Sequence, residues 1–286
     1  MAASHPSISS SDLRRDISRR NIERAISCEH EVSYGCVPSV VYQEADGTHG
    51  NFHPASYRAI CANPDWHRRL EKAYTGSRWI SRAWERGRRE LECANSSDAL
   101  LMNIFCYPKV LTRPALCNLI GADSNLAPEF GFRPRVPFGN GRFDRTEIDM
   151  RLGGILFEAK LTETGFQTAP LRLLDRYRDL HEVFNIEELP IHTKKVRSYQ
   201  LVRGVLAAYA TDASFVLLCD CRRTDMIEQW FSILCAVRSY SFRSRLRLLT
   251  WQDIAVTLPR GLQDFLETKY GIAGQVPGKK NGTAPG

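Results

Sequence analysis

The sequence lacks several features that would assign the chain to an easily recognised class. No apolar run approaches the roughly 18 residues of a membrane-spanning helix, and the first residues lack the apolar segment of a secretory leader. There is no glycine-rich phosphate loop and no Gly-x-Ser-x-Gly motif, so ATP use and serine hydrolysis are unsupported. We therefore expect a cytoplasmic protein with no membrane partner and with some other chemistry.

Cysteine pairing is not expected to stabilise the fold. The chain has nine cysteines, an odd number, and nothing in it suggests secretion, so reduced thiols are the default. The N-terminal third contains six potential zinc ligands: Cys28, His30, Cys36, His49, His53 and Cys61. Because they include no Cys-x2-Cys pair, the spacing favours ordinary thiols over a zinc site, and zinc stays the alternative.

The charge balance is positive. Lys and Arg total 39 against 32 Asp and Glu, which gives a net charge of +7 and a pI near 9.0. This balance fits a polyanionic partner such as nucleic acid. A helix predicted from Pro64 to about Glu92 concentrates basic residues on one face: Arg68, Arg69, Lys72, Arg78, Arg82, Arg86, Arg88 and Arg89. Such a face contacts phosphates or is simply solvated, and the sequence leaves both readings open.

Composition divides the chain into four segments. We predict a flexible arm over residues 1–20, a mainly helical basic region over 21–95, a core over 96–270 and a disordered tail over 271–286. The core begins at Ser96-Ser97-Asp98, an N-cap signal for a helix. Its other predicted elements are strands over 132–138, 146–152, 155–162, 214–221 and 245–250, helices over 194–210 and 225–237, and a final helix. This order predicts an α/β fold with a central mixed β-sheet flanked by helices.

One predicted hairpin carries the residues on which the functional hypothesis depends. Residues 146–162 form two strands with Gly153-Gly154 as a two-residue turn, so counting from the turn places Asp149 directly opposite Glu158. The same count places Glu147 opposite Lys160. Because strand side chains alternate, these four share one face of the hairpin. The other face is apolar: Ile148, Met150, Phe157, Ala159 and Leu161.

Two directly opposed carboxylates repel each other at a Cβ separation of about 5 Å. A divalent cation between Asp149 and Glu158 removes that penalty, and Mg²⁺ favours one or two carboxylates completed by waters and phosphate oxygens. Lys160 lies on the same side, where an ammonium can orient a water or stabilise a pentavalent phosphate. Glu147 could then tune the lysine through a salt bridge. The alternative is a solvated hairpin with a charged outer face.

Asp149, followed on the next strand by Glu158-Ala159-Lys160, resembles the PD-(D/E)XK nuclease superfamily. The resemblance covers roughly residues 96–255, and Ile148 stands where the name of the motif has Pro. It implies a restriction-endonuclease-like core in which the Asp and the D/E-x-K motif occupy adjacent strands of a mixed sheet flanked by helices.

Further stretches resemble a little-characterised bacterial branch of that superfamily: residues 49–58, 63–66 and 199–203. Related nucleases place a polar residue of the helix after the lysine near the site, and Gln200 is the matching position; a solvent-facing glutamine is the alternative. Some members also use an acid from the first core helix. Here Asp98 and Glu92 are the nearest acids, and a capping role for Asp98 is favoured over a metal role.

The leading hypothesis is a Mg²⁺- or Mn²⁺-dependent endonuclease acting on DNA. Asp149 and Glu158 would bind the metal, and Lys160 would assist water attack and stabilise charge, with Gln200 beside them. One alternative is a non-catalytic DNA-binding or assembly module on a nuclease fold, and another is a structural protein. The sequence leaves the oligomeric state open, a homodimer included.

Overall fold

The computed structural model describes residues 7–33, 38–74 and 88–274. The helices of eight residues or more are α1 (Ser10–Ala25), α2 (Pro54–Ala62), α4 (Ser97–Phe105), α8 (Tyr199–Ala210), α9 (Thr224–Cys235) and α12 (Arg260–Tyr270). The shorter helices are α3 (Pro64–Arg69), α5 (Pro114–Ile120), α6 (Leu171–Leu174), α7 (Leu180–Val183), α10 (Tyr240–Arg243) and α11 (Trp251–Ala255). Among these residues, no helix combines the length and apolarity needed to cross a bilayer.

The strands lie in one five-stranded sheet and several small ones. The main sheet contains β5 (Glu129–Phe132), β8 (Ile148–Leu152), β9 (Ile155–Ala159), β13 (Ser214–Cys219) and β14 (Leu246–Thr250). The small sheets pair β1 (His30–Val32) with β2 (Val40–Tyr42), β3 (Glu44–Ala45) with β4 (Thr48–His49), β6 (Val136–Pro137) with β7 (Phe143–Asp144), and β10 (Thr168–Pro170) with β12 (Lys195–Arg197) and β11 (Ile191–His192).

The main sheet is mixed and has the strand order β14-β13-β9-β8-β5. Strands β5, β8 and β9 form an antiparallel meander, whereas β13 runs parallel to both β9 and β14. Helix α8 connects β9 to β13, and α9 connects β13 to β14. The prediction of an α/β fold with a central mixed sheet flanked by helices is thus confirmed.

Helices cover both faces of this sheet, so two apolar clusters flank it. One cluster joins α8 and α9 to Leu156, Phe215 and Leu217. The other joins α1, α4, α11 and α12 to Met150 and Phe157. Burial on both faces explains why β13 has an almost unbroken apolar sequence, as a central parallel strand requires.

Helix α1 occupies most of the segment that we predicted to be a flexible arm. Its side chains Leu13 and Ile17 are completely buried in the second cluster. Their spacing of four residues places them on one helical face, which packs against α12. The polar composition hid this narrow apolar stripe. The domain boundaries of residues 21–95 and 96–270 stay a prediction, and residues 275–286 of the predicted tail lie outside the described chain.

The long helix predicted from Pro64 is wrong, because α3 ends at Arg69. The chain then runs extended and pairs with a returning segment: Glu90 N donates to Lys72 O at 2.8 Å, and Tyr74 N donates to Arg88 O at 3.0 Å. This backbone pairing replaces the helical one. Residues 75–87, with Arg78, Arg82 and Arg86 of the predicted basic face, lie outside the described residues.

Two other predicted elements are shortened or divided by local backbone geometry. The helix predicted from Lys194 starts only at Tyr199, because Thr193 and Lys194 have φ of 46° and 57° and form the turn between β11 and β12. The strand predicted over 132–138 is divided into β5 and β6 by a non-strand segment at 133–135 that contains Pro134.

Candidate active site

The hairpin of β8 and β9 has the predicted turn and register. Leu152 pairs with Ile155 and Met150 pairs with Phe157 across the Gly153-Gly154 turn. Continuing this register brings Asp149 beside Glu158. Instead of extending the ladder, the Asp149 side chain accepts a hydrogen bond from Ala159 N at 2.8 Å through Oδ2. This bond fixes the orientation of the carboxylate against the neighbouring strand.

Glu158 is the centre of the side-chain cluster and is only 1% exposed. Its Oε1 accepts a hydrogen bond from Lys160 Nζ at 2.6 Å and another from Gln200 Nε2. The side chain of Gln200 therefore points toward the cluster, and the alternative of a solvent-facing glutamine is wrong. Because α8 begins at Tyr199 directly after Ser198 in the left-handed conformation, Gln200 lies on the first turn of the helix, beside the sheet.

Lys160 follows the end of β9, and its backbone is held on both sides. Its N–H donates to Leu218 O at 2.8 Å, and its carbonyl accepts a hydrogen bond from Trp251 Nε1 at 2.8 Å. Burial opposes the charged ammonium, but the carboxylates of Glu158, Asp149 and Glu163 outweigh it and raise the pKa of Lys160. The lysine is consequently a positioned cation at neutral pH.

The surroundings of Asp149 disfavour its charged form, whereas those of Lys160 favour the charged form of the lysine. Burial raises its pKa well above the usual range for an aspartate, and the charges of Glu158 and Asp98 raise it further, against the smaller effects of Lys160 and Lys72. A carboxyl group with this surplus of negative neighbours favours a bound proton or a bound cation.

Asp98 belongs to the cluster and is not the cap of its helix, so the capping role favoured from the sequence is wrong. Ser96 is the N-cap of α4, because its Oγ accepts a hydrogen bond from Ala99 N at 3.2 Å. Asp98 is buried and pairs through Oδ2 with Arg69 Nη2 at 2.9 Å and Lys72 Nζ at 2.5 Å. Burial alone would raise its pKa, but these two cations hold the pKa of Asp98 below the usual value.

Glu147 does not pair with Lys160, so that part of the hairpin prediction is wrong. Strand β8 starts only at Ile148, and the carboxylate of Glu147 contacts Arg69 Nη1 at 2.7 Å and Lys72 Nζ at 3.4 Å. Ile148 was also assigned to the wrong apolar face, because it packs in the cluster of α8 and α9. On the neighbouring strand β5, Gly131 has φ of 70°, which interrupts the regular alternation of side chains next to Ile148.

Arg69 and Lys72 were the residues that the sequence interpretation missed as part of the site. They come from the N-terminal region, and α3 is placed against β5 by Trp66, whose Nε1 donates to Pro128 O at 3.0 Å. Gly131 leaves room for this approach, since a Cβ there would collide with the guanidinium of Arg69. Their spacing of three residues was the available signal, because a turn, here closed by Lys72 N donating to Arg69 O at 3.0 Å, brings side chains at this spacing to one side.

The stretch at residues 49–58 has a structural part in this arrangement. His53 N donates to Asn103 Oδ1 at 2.7 Å, and Ser56 Oγ donates to Asn103 O at 2.7 Å, both on α4. These bonds dock the N-terminal region on the helix that carries Asp98. The other acid considered, Glu92, lies in a one-turn 3-10 helix where its carboxylate accepts from Arg89 N at 3.1 Å.

The donor set of the cluster is compatible with a hard divalent cation. In the described chain no hydrogen bond reaches Oδ1 of Asp149 or Oε2 of Glu158, so each carboxylate retains one uncommitted oxygen. Among these same residues, no three His, Cys, Asp or Glu side chains are grouped to hold a metal by themselves. A cation here would therefore complete its shell with waters and substrate oxygens, as Mg²⁺ commonly does.

The comparison with family models decides the family. Residues 21–271 match the model of a family described as "Restriction Endonuclease associating with ARP". The chain belongs to this family. The match is consistent with the restriction-endonuclease-like resemblance of the hairpin and includes the N-terminal region that supplies Arg69 and Lys72. No curated protein and no solved structure matches the chain.

Proposed function

We propose that this protein is a Mg²⁺- or Mn²⁺-dependent endonuclease that hydrolyses phosphodiester bonds in DNA. The observation that carries the proposal is the juxtaposition of Asp149, Glu158 and Lys160, with Lys160 Nζ 2.6 Å from Glu158 Oε1, in a member of a restriction endonuclease family. Phosphodiester hydrolysis needs a held nucleophile and compensation of the charge that builds on phosphorus, and this cluster offers groups for both.

Asp149 and Glu158 would hold the metal through their uncommitted oxygens. A bound Mg²⁺ or Mn²⁺ supplies Lewis acidity toward the phosphate and lowers the pKa of a water. Gln200 and Lys160 both donate to Glu158, so they fix the orientation of its carboxylate. Lys160 carries the only formal positive charge of the predicted catalytic set, which suits it to orient the attacking water and stabilise the pentavalent phosphate.

Arg69 and Lys72 would have a supporting role. Both are paired with Asp98 and Glu147, and Asp149 adds to the electrostatic field that keeps them charged. They therefore offset part of the negative charge next to the proposed metal ligands. A phosphate group entering the cluster would meet these two cations as well as Lys160.

The test is a cleavage assay with purified protein on supercoiled plasmid and on short duplexes, with Mg²⁺, with Mn²⁺ and with EDTA. We expect cleavage that requires metal and that Lys160→Ala reduces about 100-fold, the usual effect of losing one transition-state donor. Arg260→Ala, an exposed arginine on α12, is the matched control. Salt-dependent DNA binding without cleavage would favour the non-catalytic module instead, and equal cleavage by Lys160→Ala would refute the proposed role of the lysine.

A further inference from the structure

A short arginine-rich hairpin connects two strands that border the candidate active site. The arginine hairpin, residues 133–145, leaves β5, forms β6 and β7 and returns through Glu147 to Asp149 of β8. Its four arginines are all exposed: Arg133, Arg135, Arg142 and Arg145. The hairpin contains a single acid, Asp144. It therefore presents a concentrated positive charge directly before β8, the strand that carries the proposed metal ligand Asp149.

Packing fixes the hairpin beside the first turn of α8. Gly139 N donates to Arg176 O at 2.9 Å, and Arg178 N donates to Pro137 O at 3.1 Å. The phenol of Tyr177 donates to Asp144 Oδ2 and lies 3.2 Å from the Tyr199 hydroxyl. Tyr199 precedes Gln200, which contacts Glu158. The hairpin is thus connected through Tyr177 to the first turn of α8, the turn that also carries Gln200.

The charge of the hairpin is not neutralised within the protein. Asp144 accepts hydrogen bonds from Thr146 and Tyr177, and it pairs with no arginine of the hairpin. In the part of the chain that the structure describes, Arg135, Arg142 and Arg145 form no ion pair, and Arg133 reaches only Glu147, at 3.8 Å. Arg135 instead stacks over the ring of the exposed Phe143, with its guanidinium carbon 4.2 Å from the centroid.

We propose that the arginine hairpin binds backbone phosphates of duplex DNA next to the cleaved bond. The inference rests on the proposed function, because it identifies the surface that holds the substrate of that site. Arginine suits this role, since its planar guanidinium pairs with phosphate oxygens in a bidentate manner. Phosphate contacts of this kind position the duplex without reading its sequence.

The experiment measures DNA affinity without cleavage. Binding of a fluorescent 25-base-pair duplex to the full chain is followed by anisotropy in EDTA over a range of salt concentrations. The variant is Arg142→Ala/Arg145→Ala, because these two exposed side chains make no hydrogen bond, ion pair or ring contact in the described structure, so their removal should not disturb folding. The matched control is Arg19→Ala/Arg260→Ala, which removes two exposed arginines from α1 and α12 on the other side of the sheet.

We expect the hairpin variant to bind about tenfold more weakly at moderate salt. The slope of log affinity against log salt concentration should fall by about 2, because each lost phosphate contact removes roughly one unit. The control should keep the slope and affinity of the wild type. Equal binding by the hairpin variant, an equal loss in the control, or tighter binding of an RNA duplex than of DNA would each overturn the inference. Absence of Mg²⁺-dependent cleavage alongside the expected binding result would refute the proposed nuclease activity and leave the binding surface standing.

Discussion

Two buried lysines of this protein have similar burial and opposite electrostatic surroundings. Lys160 is 6% exposed and contacts Glu158, with Asp149 and Glu163 nearby. Lys269 is completely buried, and in the described chain no carboxylate pairs with it. Its Nζ donates to Asn21 Oδ1 at 3.0 Å and to Ala94 O at 3.2 Å. Burial, together with Arg24, lowers the pKa of Lys269 well below the usual value, whereas that of Lys160 is raised.

The difference teaches that burial alone does not indicate a functional lysine. A lysine without acidic neighbours responds to burial by losing its proton, and its hydrogen bonds then serve packing. A lysine surrounded by carboxylates stays charged, and it can act on an incoming anion. By this criterion Lys160 is a candidate catalytic group and Lys269 is a structural one, even though Lys269 is the more deeply buried.

The largest expected effect separates the two lysines by activity. Lys160→Met should reduce Mg²⁺-dependent plasmid cleavage by at least about 100-fold, because it removes the cation next to the proposed metal ligands. Lys269→Met, the same chemical change at the other lysine, should leave cleavage at the wild-type level. Similar losses in both variants, each with a melting temperature showing that it is folded, would contradict the distinction.

An intermediate effect is expected in the pH dependence of stability. The pKa of Lys269 is lower in the native state than in the unfolded state. At pH values between these two pKa values, the unfolded chain holds a proton on Lys269 that the native chain has released. The penalty for burying the charged lysine is therefore complete at low pH and declines as the pH rises toward the pKa of the unfolded state. Relative to Lys269→Met, the free energy of unfolding of the wild type should rise by up to about 1.4 kcal/mol per pH unit in this window.

Urea unfolding at several pH values between neutrality and the alkaline range measures this dependence. Lys269→Met conserves most of the side-chain volume, so the comparison isolates the titrating group. A variant that retained the pH dependence of the wild type would show that some other group is responsible. A free energy of unfolding of the wild type that fell with rising pH, relative to that of the variant, would reverse the direction assigned to the pKa shift.

The smallest effect concerns Asp98, whose charge acts on Asp149. Asp98→Asn should lower the pKa of Asp149, because the charge of Asp98 raises it and because Arg69 and Lys72 would then face Asp149 with less compensation. Since a carboxyl group must lose its proton to bind a metal, the acidic limb of the cleavage profile should move to lower pH by about one unit.

The measurement is the cleavage rate at saturating Mg²⁺ across the acidic to neutral range. Asp123→Asn, at an exposed aspartate, is the control and should leave the profile unchanged. If Asp98→Asn stayed folded by its melting temperature and yet lost cleavage at every pH, Asp98 would be needed for more than its ion pairs with Arg69 and Lys72. A limb that moved to higher pH would show that the charge of Asp98 does not raise the pKa of Asp149.

The sequence predicted the parts of the site that depend on local geometry. A two-residue turn and the alternation of a strand are sufficient to bring Asp149 beside Glu158, and the spacing of Glu158 and Lys160 follows from one strand. The mixed sheet followed from the order of its elements in the same way. The roles of Asp149, Glu158, Lys160 and Gln200 in catalysis stay predictions.

The parts that the sequence did not predict depend on contacts between distant segments. Arg69 and Lys72 reach Asp98 only because α3 ends at Arg69 and packs on β5. Nothing in the sequence indicates this helix end, because basic residues continue at helical spacing beyond Arg69. Glu147 was counted into a strand that begins one residue later. The burial of Lys269 was equally hidden, because it depends on the packing of α12 against α1 and β2.

The contact between α1 and α12 has a consequence for the order in which the protein is made. Leu13 and Ile17 are covered by side chains of the last described helix, including Leu262 and Leu266. Asn21 donates to Lys269 O at 3.0 Å and accepts from Lys269 Nζ. During translation, α1 therefore cannot complete its packing until residues about 250 positions later in the chain have been synthesised. The sheet bearing Asp149 and Glu158 lacks part of its cover until α12 has been synthesised, so the proposed nuclease site stays incomplete until that point.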